Sequence, residues 1–72
     1  MEDFVEKTFA ERLKDLRMEK NLSTVALGKE LNVSNSTVCR WEKREIVPSI
    51  THLYKIAIFF GISADYLIGL ED

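Results

Sequence analysis

The residues of this chain able to do chemistry concentrate in one short stretch, Ser34-Asn35-Ser36-Thr37 followed by Arg40, Lys43 and Arg44. Short hydrogen-bonding side chains and a guanidinium at helical spacing can read planar polar edges, and the two trailing cations can hold anions. Such groups recognise; they do not break bonds. Catalysis would need a nucleophile, an acid or a base in mutual reach. The chain has one His, His52, one Cys, Cys39, and no spaced carboxylate pair on a shared face. An enzyme is therefore not expected, nor a metal, a cofactor or a small-molecule ligand. Cys39 reads as an unreactive small side chain, and His52 as a surface or interface residue.

The elements that must position this stretch can be read from caps and apolar spacing. Thr8 with Glu11 forms a capping-box pair, and Phe9, Leu13 and Leu16 follow at helical intervals up to Asn21, a left-handed stop. The first helix is thus expected over residues 8–20, with 1–7 as a lead or one extra helical turn. Ser23 caps a second helix with Ala26, Leu27 and Leu31 on its apolar face. Asn32 then turns the chain, since Asn tolerates positive φ better than any residue but Gly. Ser34 caps a third helix running to about Lys43, with Val38 and Trp41 turned inward. Pro48 disfavours helix at Val47. Ser49 starts a fourth helix, with Ile50, Leu53, Ile56, Ala57 and Phe60, and Gly61 ends it. Ser63 caps a fifth, with Tyr66, Leu67 and Ile68 apolar. No strand signal, repeat or low-complexity tract is present. The fold class expected is all-α, five helices, with residues 8–70 as the domain and 71–72 as a tail.

Two helices joined through Asn32-Val33-Ser34 must cross steeply, which makes a helix-turn-helix. A B-DNA major groove admits one α-helix, and the first turns of that helix meet base edges. With Val38 and Trp41 inward, the third helix presents Asn35, Ser36, Cys39 and Arg40 outward, with Thr37 flanking. Arg40 can bond guanine O6 and N7 in a fork, and Asn35 can do the same with adenine N6 and N7. Base contacts are assigned to Asn35, Ser36, Thr37 and Arg40. Phosphate contacts are assigned to Ser23, Thr24 and Ser34, at helix N-termini that favour anions, and to Lys43 and Arg44. Trp41 is expected as a core anchor rather than a stacking platform.

Charge at first argues otherwise. The formal net charge is −2, where a basic footprint would be usual for nucleic-acid binding. The distribution reverses that reading: six acids (Glu2, Asp3, Glu6, Asp65, Glu71, Asp72) sit near the ends. Between Lys7 and Lys55 all ten Lys and Arg face six acids, a difference of +4. A modest electrostatic attraction to DNA follows. With 46% hydrophobic and 31% charged residues, the composition is that of a globular domain, and 72 residues leave room for one core and one working surface. A charged N-terminus, the absence of a membrane-length apolar run and a lone cysteine point to the cytoplasm. Ile58 and Phe59 lie opposite Leu53, Ile56 and Phe60 on the fourth helix. A helix apolar nearly all round needs a cover, so a homodimer interface of helices 4 and 5 is expected, using Ile58, Phe59, Tyr66 and Ile68.

An ordered series of segments carries a family resemblance: Glu11 to Arg17, Leu22-Ser-Thr, Leu27 to Leu31, Val33 to Val38, Arg40-Trp-Glu42, Val47-Pro-Ser49 and Gly61 to Gly69. Over residues 9–70 the chain resembles the Cro/CI-type (XRE) helix-turn-helix repressors. The resemblance implies a compact five-helix, lambda-repressor-like domain that binds a palindromic double-stranded DNA operator as a two-fold dimer and regulates transcription, as a repressor. It also implies an ion pair between Arg17 and Glu42 that positions the third helix. Two departures stand out: Thr24 replaces a Gln common in the family, and Lys43-Arg44 replaces an Asn-Gly, which puts Arg44 where positive φ is expected. The alternative is a protein-interaction module, antitoxin-like or anti-activator, using the same fold with weak DNA affinity.

Overall fold

The four later helices each begin at a serine, and each serine does the same work. In the computed structural model, which describes residues 4–72, Ser23, Ser34, Ser49 and Ser63 adopt extended backbone. Their hydroxyls accept from the N–H groups of Ala26, Thr37, His52 and Tyr66. One orphan donor at each helix start is thereby satisfied, worth about 1 kcal/mol apiece. The helices are α1 (Phe4–Glu19), α2 (Thr24–Leu31), α3 (Asn35–Glu42), α4 (Ile50–Phe60) and α5 (Ala64–Ile68). Left-handed residues stop them: Asn21 follows α1, Asn32 follows α2 and Gly61 follows α4, with φ of 56°, 60° and 68°.

The start of α1 departs from the sequence expectation. Helix is already present at Phe4, the first described residue, so Thr8 lies inside it and the Thr8–Glu11 pair does not act as a cap. Residues 4–7 form an extra helical turn, and residues 1–3 of the expected lead lie outside the described residues. Once a helix is nucleated, each further residue adds one hydrogen bond at little cost. The added turn also gains a tertiary contact, because the Phe4 ring lies against Gly69, whose ideal Cβ would fall 2.6 Å from it.

The core draws on all five helices. Phe9 and Leu13 of α1, Leu27 and Leu31 of α2, Val38 and Trp41 of α3, Ile56 and Ala57 of α4, and Leu67 of α5 form one buried cluster. Trp41 is 2% exposed and meets Phe9 edge-to-face with ring centroids 6.3 Å apart. It anchors α3 on α1. Losing such a side chain to Ala costs about 3–5 kcal/mol, so the placement of α3 is tied to the stability of the whole domain.

On α4 the structure corrects one expectation. Ile58 is exposed, but Phe59 packs on the core and meets Phe60 edge-to-face at 4.9 Å. The reason is angular. Phe59 stands three residues after Ile56 and so shares its side of the helix, whereas Ile58 is rotated away from it. The open apolar stripe of α4 is Ile50, Tyr54 and Ile58, spaced four residues apart and 87%, 64% and 64% exposed. Tyr66 and Ile68 are half-buried. Arg12 places its guanidinium 4.3 Å over the Tyr66 ring and donates to the carbonyls of Tyr66 and Glu71, tying α5 and residue 71 to α1.

Candidate nucleic-acid interface

The α2–α3 turn is held by backbone geometry. Asn32, at φ 60° and ψ 45°, reverses the chain, and the Val33 N–H donates to the Gly28 carbonyl at 2.8 Å. Gly28 permits that approach: a Cβ there would stand 2.8 Å from the Val33 carbonyl oxygen. The sequence reading did not single out Gly28. An isolated glycine inside a helical pattern is the signal that would have found it, since it weakens the helix unless packing needs it.

The other end of α3 is held by charge. The Arg17 Nε donates to Glu42 Oε2 at 2.7 Å and its Nη2 to Oε1 at 3.0 Å, while Nη1 reaches the Leu22 carbonyl at 2.8 Å. Both side chains are largely buried, at 14% and 9% exposed. Hydrogen bonding to Glu42 holds the Arg17 pKa above its ordinary value, against the opposing effect of burial. One guanidinium thus links the end of α1, the connection into α2 and the last residue of α3.

Between these fixings α3 turns a polar side outward. Asn35, Ser36 and Arg40 are exposed, Thr37 and Cys39 are half-exposed, and Val38 and Trp41 are inside. Asn35 and Arg40 are five residues apart, about 7.5 Å along the axis, a span of roughly two base-pair steps. The Arg40 Nε lies 4.0 Å from Glu45 Oε1, with both side chains more than half exposed. An exposed pair of that length contributes under about 1 kcal/mol, so Arg40 is able to swing to another anion. The Ser34 and Thr37 hydroxyls are 3.0 Å apart.

The N-terminal ends of α2 and α3 converge. The Thr24 hydroxyl donates to Asn35 Oδ1, joining the first residue of one helix to the first residue of the other. Ser23 and Ser34 cap these same two ends. Lys43 and Arg44 stand at the far end of α3, both exposed. Arg44 takes φ 65°, the left-handed conformation that the missing Asn-Gly would have eased. His52 leans on Trp41, with ring centroids 5.7 Å apart, and its Nδ1 is 2.9 Å from the Ser49 hydroxyl. It therefore braces the start of α4.

Comparison with known proteins agrees with this geometry. Residues 13–67 match the family described as Helix-turn-helix (HTH_3). An uncharacterised HTH-type transcriptional regulator of Methanocaldococcus jannaschii is 38% identical over 61 residues, 85% of this chain and 92% of that protein. The HTH-type transcriptional activator BcrR of Enterococcus faecalis is 34% identical over 89% of this chain, but the chain spans only 31% of that protein's length. Among solved structures, the P22 c2 repressor in complex with a synthetic operator superposes with a TM-score of 0.82 at 30% identity, over 88% of this chain and 96% of that one. Hydroxypropylphosphonic acid epoxidase from S. wedmorenis gives a TM-score of 0.82 at 33% identity over 92% of this chain, yet only 35% of the enzyme's chain takes part. A buried anchor on α3, a turn closed over Gly28, an Arg17–Glu42 fork and a family match across residues 13–67 lead to one assignment: the chain belongs to the Cro/CI-type (XRE) helix-turn-helix family.

Proposed function

We propose that this chain binds double-stranded DNA sequence-specifically, laying α3 in the major groove of an operator to regulate transcription in the cytoplasm. The observation that carries this reading is the polar side of α3, open to solvent while its other side is locked into the core by Val38 and Trp41. Base edges meet Asn35, Ser36, Thr37 and Arg40. Phosphates meet the N–H ends of α2 and α3 at Ser23, Thr24 and Ser34, and the cations of Lys43 and Arg44. The likeness to a repressor seen on its operator supports the docking mode.

The bound form is a homodimer on a palindrome, with half-sites one helical turn apart, and it represses by occluding a promoter. The α4 stripe of Ile50, Tyr54 and Ile58 is the apolar surface available for pairing, whereas Tyr66 lies against Arg12 of α1 and Ile68 lines a cleft with Val5, Phe9, Val47 and Leu53. Phe59 supports that surface from the core side.

Fluorescence anisotropy with the chain's own upstream DNA, at two salt concentrations and beside an Arg40→Ala variant, tests the reading. Lys43 and Arg44 from two protomers neutralise four phosphates, so the log–log salt slope should be about −3.6. Arg40→Ala should lose sequence preference. Binding indifferent to salt, sequence and Arg40 would favour the protein-interaction reading instead.

A further inference from the structure

The side-chain amide of Asn35 presents its two ends unequally. A carboxamide oxygen accepts at two lone pairs, and its nitrogen donates two hydrogens. Both lone pairs of Asn35 Oδ1 are engaged within the protein. The Thr24 hydroxyl donates to it from α2, and the Cys39 thiol donates to it from one turn along α3, at 3.6 Å. What Asn35 turns to solvent is therefore its Nδ2 with two N–H donors. The helix start around it adds to the same character, since the first N–H groups of a helix have no partner inside it.

The base edges differ in just this respect. In the major groove adenine offers the N7 acceptor beside the N6 donor, so a bidentate amide must keep its oxygen available. Guanine offers two acceptors, N7 and O6, and asks only for donors. Cytosine offers a donor alone, and thymine one acceptor, O4, beside its methyl group, so guanine alone offers a donor probe two acceptors.

We propose that Thr24 and Cys39 set the base specificity of Asn35, holding its amide as a donor-only probe that reads guanine in the major groove in place of the adenine a free asparagine would favour. Thr24 is then a positioning residue. Its one hydroxyl proton is spent on Asn35, so it meets a phosphate through its backbone N–H and not through its side chain. The inference rests on the operator-binding reading above.

The test is selection from a library of random duplex DNA, sequenced before and after binding. The proteins compared are the full chain, Asn35→Ala, and the Thr24→Val/Cys39→Ala double variant, each shown to be folded by circular dichroism. Thr24→Val alone serves if the double variant melts early. The position read by residue 35 is the one whose preference disappears in Asn35→Ala. Guanine should be preferred to adenine there by about tenfold in the full chain, and Thr24→Val/Cys39→Ala should bring the two to parity or reverse them, leaving the positions read by Arg40 unchanged. Adenine, cytosine or thymine at that position in the full chain would overturn the proposal. So would a guanine preference untouched by Thr24 and Cys39. Uniform weakening by Asn35→Ala, with no base preference lost, would overturn it by making Asn35 a phosphate ligand. A full chain that enriches no sequence at all would instead bring down the operator-binding reading, and this inference with it.

Discussion

At the scale of single residues, Arg17 and Glu42 couple more of the molecule than any other side-chain pair described. Arg17 holds α3 through two bonds to Glu42 and the α1–α2 connection through one to Leu22. A largely buried carboxylate that loses its cation keeps its desolvation cost, whereas losing both partners removes that cost with the attraction. Arg17→Met should therefore lower unfolding free energy by about 3 kcal/mol, and Glu42→Leu by a comparable amount. The double variant should cost clearly less than the two together. Urea denaturation of all four proteins gives the coupling energy, expected at about 3 kcal/mol, so that the double variant costs no more than either single change. Additive losses would mean that the pair contributes through packing alone. Because Arg17 also serves Leu22, Arg17→Met should remain the costlier of the two single changes.

At the scale of elements, the α2–α3 corner depends on a glycine inside a helix. Ala normally stabilises a helix over Gly by about 1 kcal/mol, but at residue 28 its Cβ would press on a backbone oxygen 2.8 Å away, which cannot turn aside as a flexible side chain would. Overpacking of this kind costs about 1–3 kcal/mol, so Gly28→Ala should destabilise despite its better propensity. In a domain this size, a net loss of 1 kcal/mol lowers Tm by roughly 4–8 °C, readable by circular dichroism. A raised Tm would show that the corner is not closed as described. The corner also separates what local sequence could say from what it could not. Ser23, Ser34, Ser49 and Ser63 were legible as caps, and Asn32 and Gly61 as stops, because each acts on backbone within four residues of itself. Thr8 misled because its capping signal is local, while the contact that lengthens α1, Phe4 on Gly69, spans 65 residues. Phe59 misled because a helix apolar nearly all round does not declare which side meets the core. The Thr24–Asn35 bond joins two helices whose crossing angle no spacing rule supplies. Thr24, Asn35 and Cys39 were each visible as polar surface residues, but their mutual engagement was not.

At the scale of the whole molecule, net charge and local charge point in opposite directions, and under the proposed reading the local pattern governs docking. Acids near both ends leave the central stretch basic, and Lys43 and Arg44 stand beside the end of α3. The second whole-molecule feature is the α4 stripe. Ile50, Tyr54 and Ile58 are more exposed than large apolar side chains usually are in a monomer. If this stripe pairs two copies, Ile58→Glu should shift the chain to monomer in sedimentation velocity, with little change in the Tm of the fold, because the Ile58 side chain adds little to the core. Affinity for a palindrome should fall by at least tenfold, while affinity for an isolated half-site should hold. A dimer that survives Ile58→Glu would move pairing off the stripe.

The proposed DNA-facing surface is α3, with the starts of α2 and α3 and with Lys43 and Arg44 at its margins. The most direct test is an NMR titration of labelled protein with a duplex from its own upstream region, following every backbone amide. The largest shifts are expected at Ser23, Thr24, Ser34 to Thr37, Arg40, Lys43 and Arg44, with Ile50, Tyr54 and Ile58 moving only where a second copy joins. Largest shifts along α1, or along α4 with α3 silent, would contradict it.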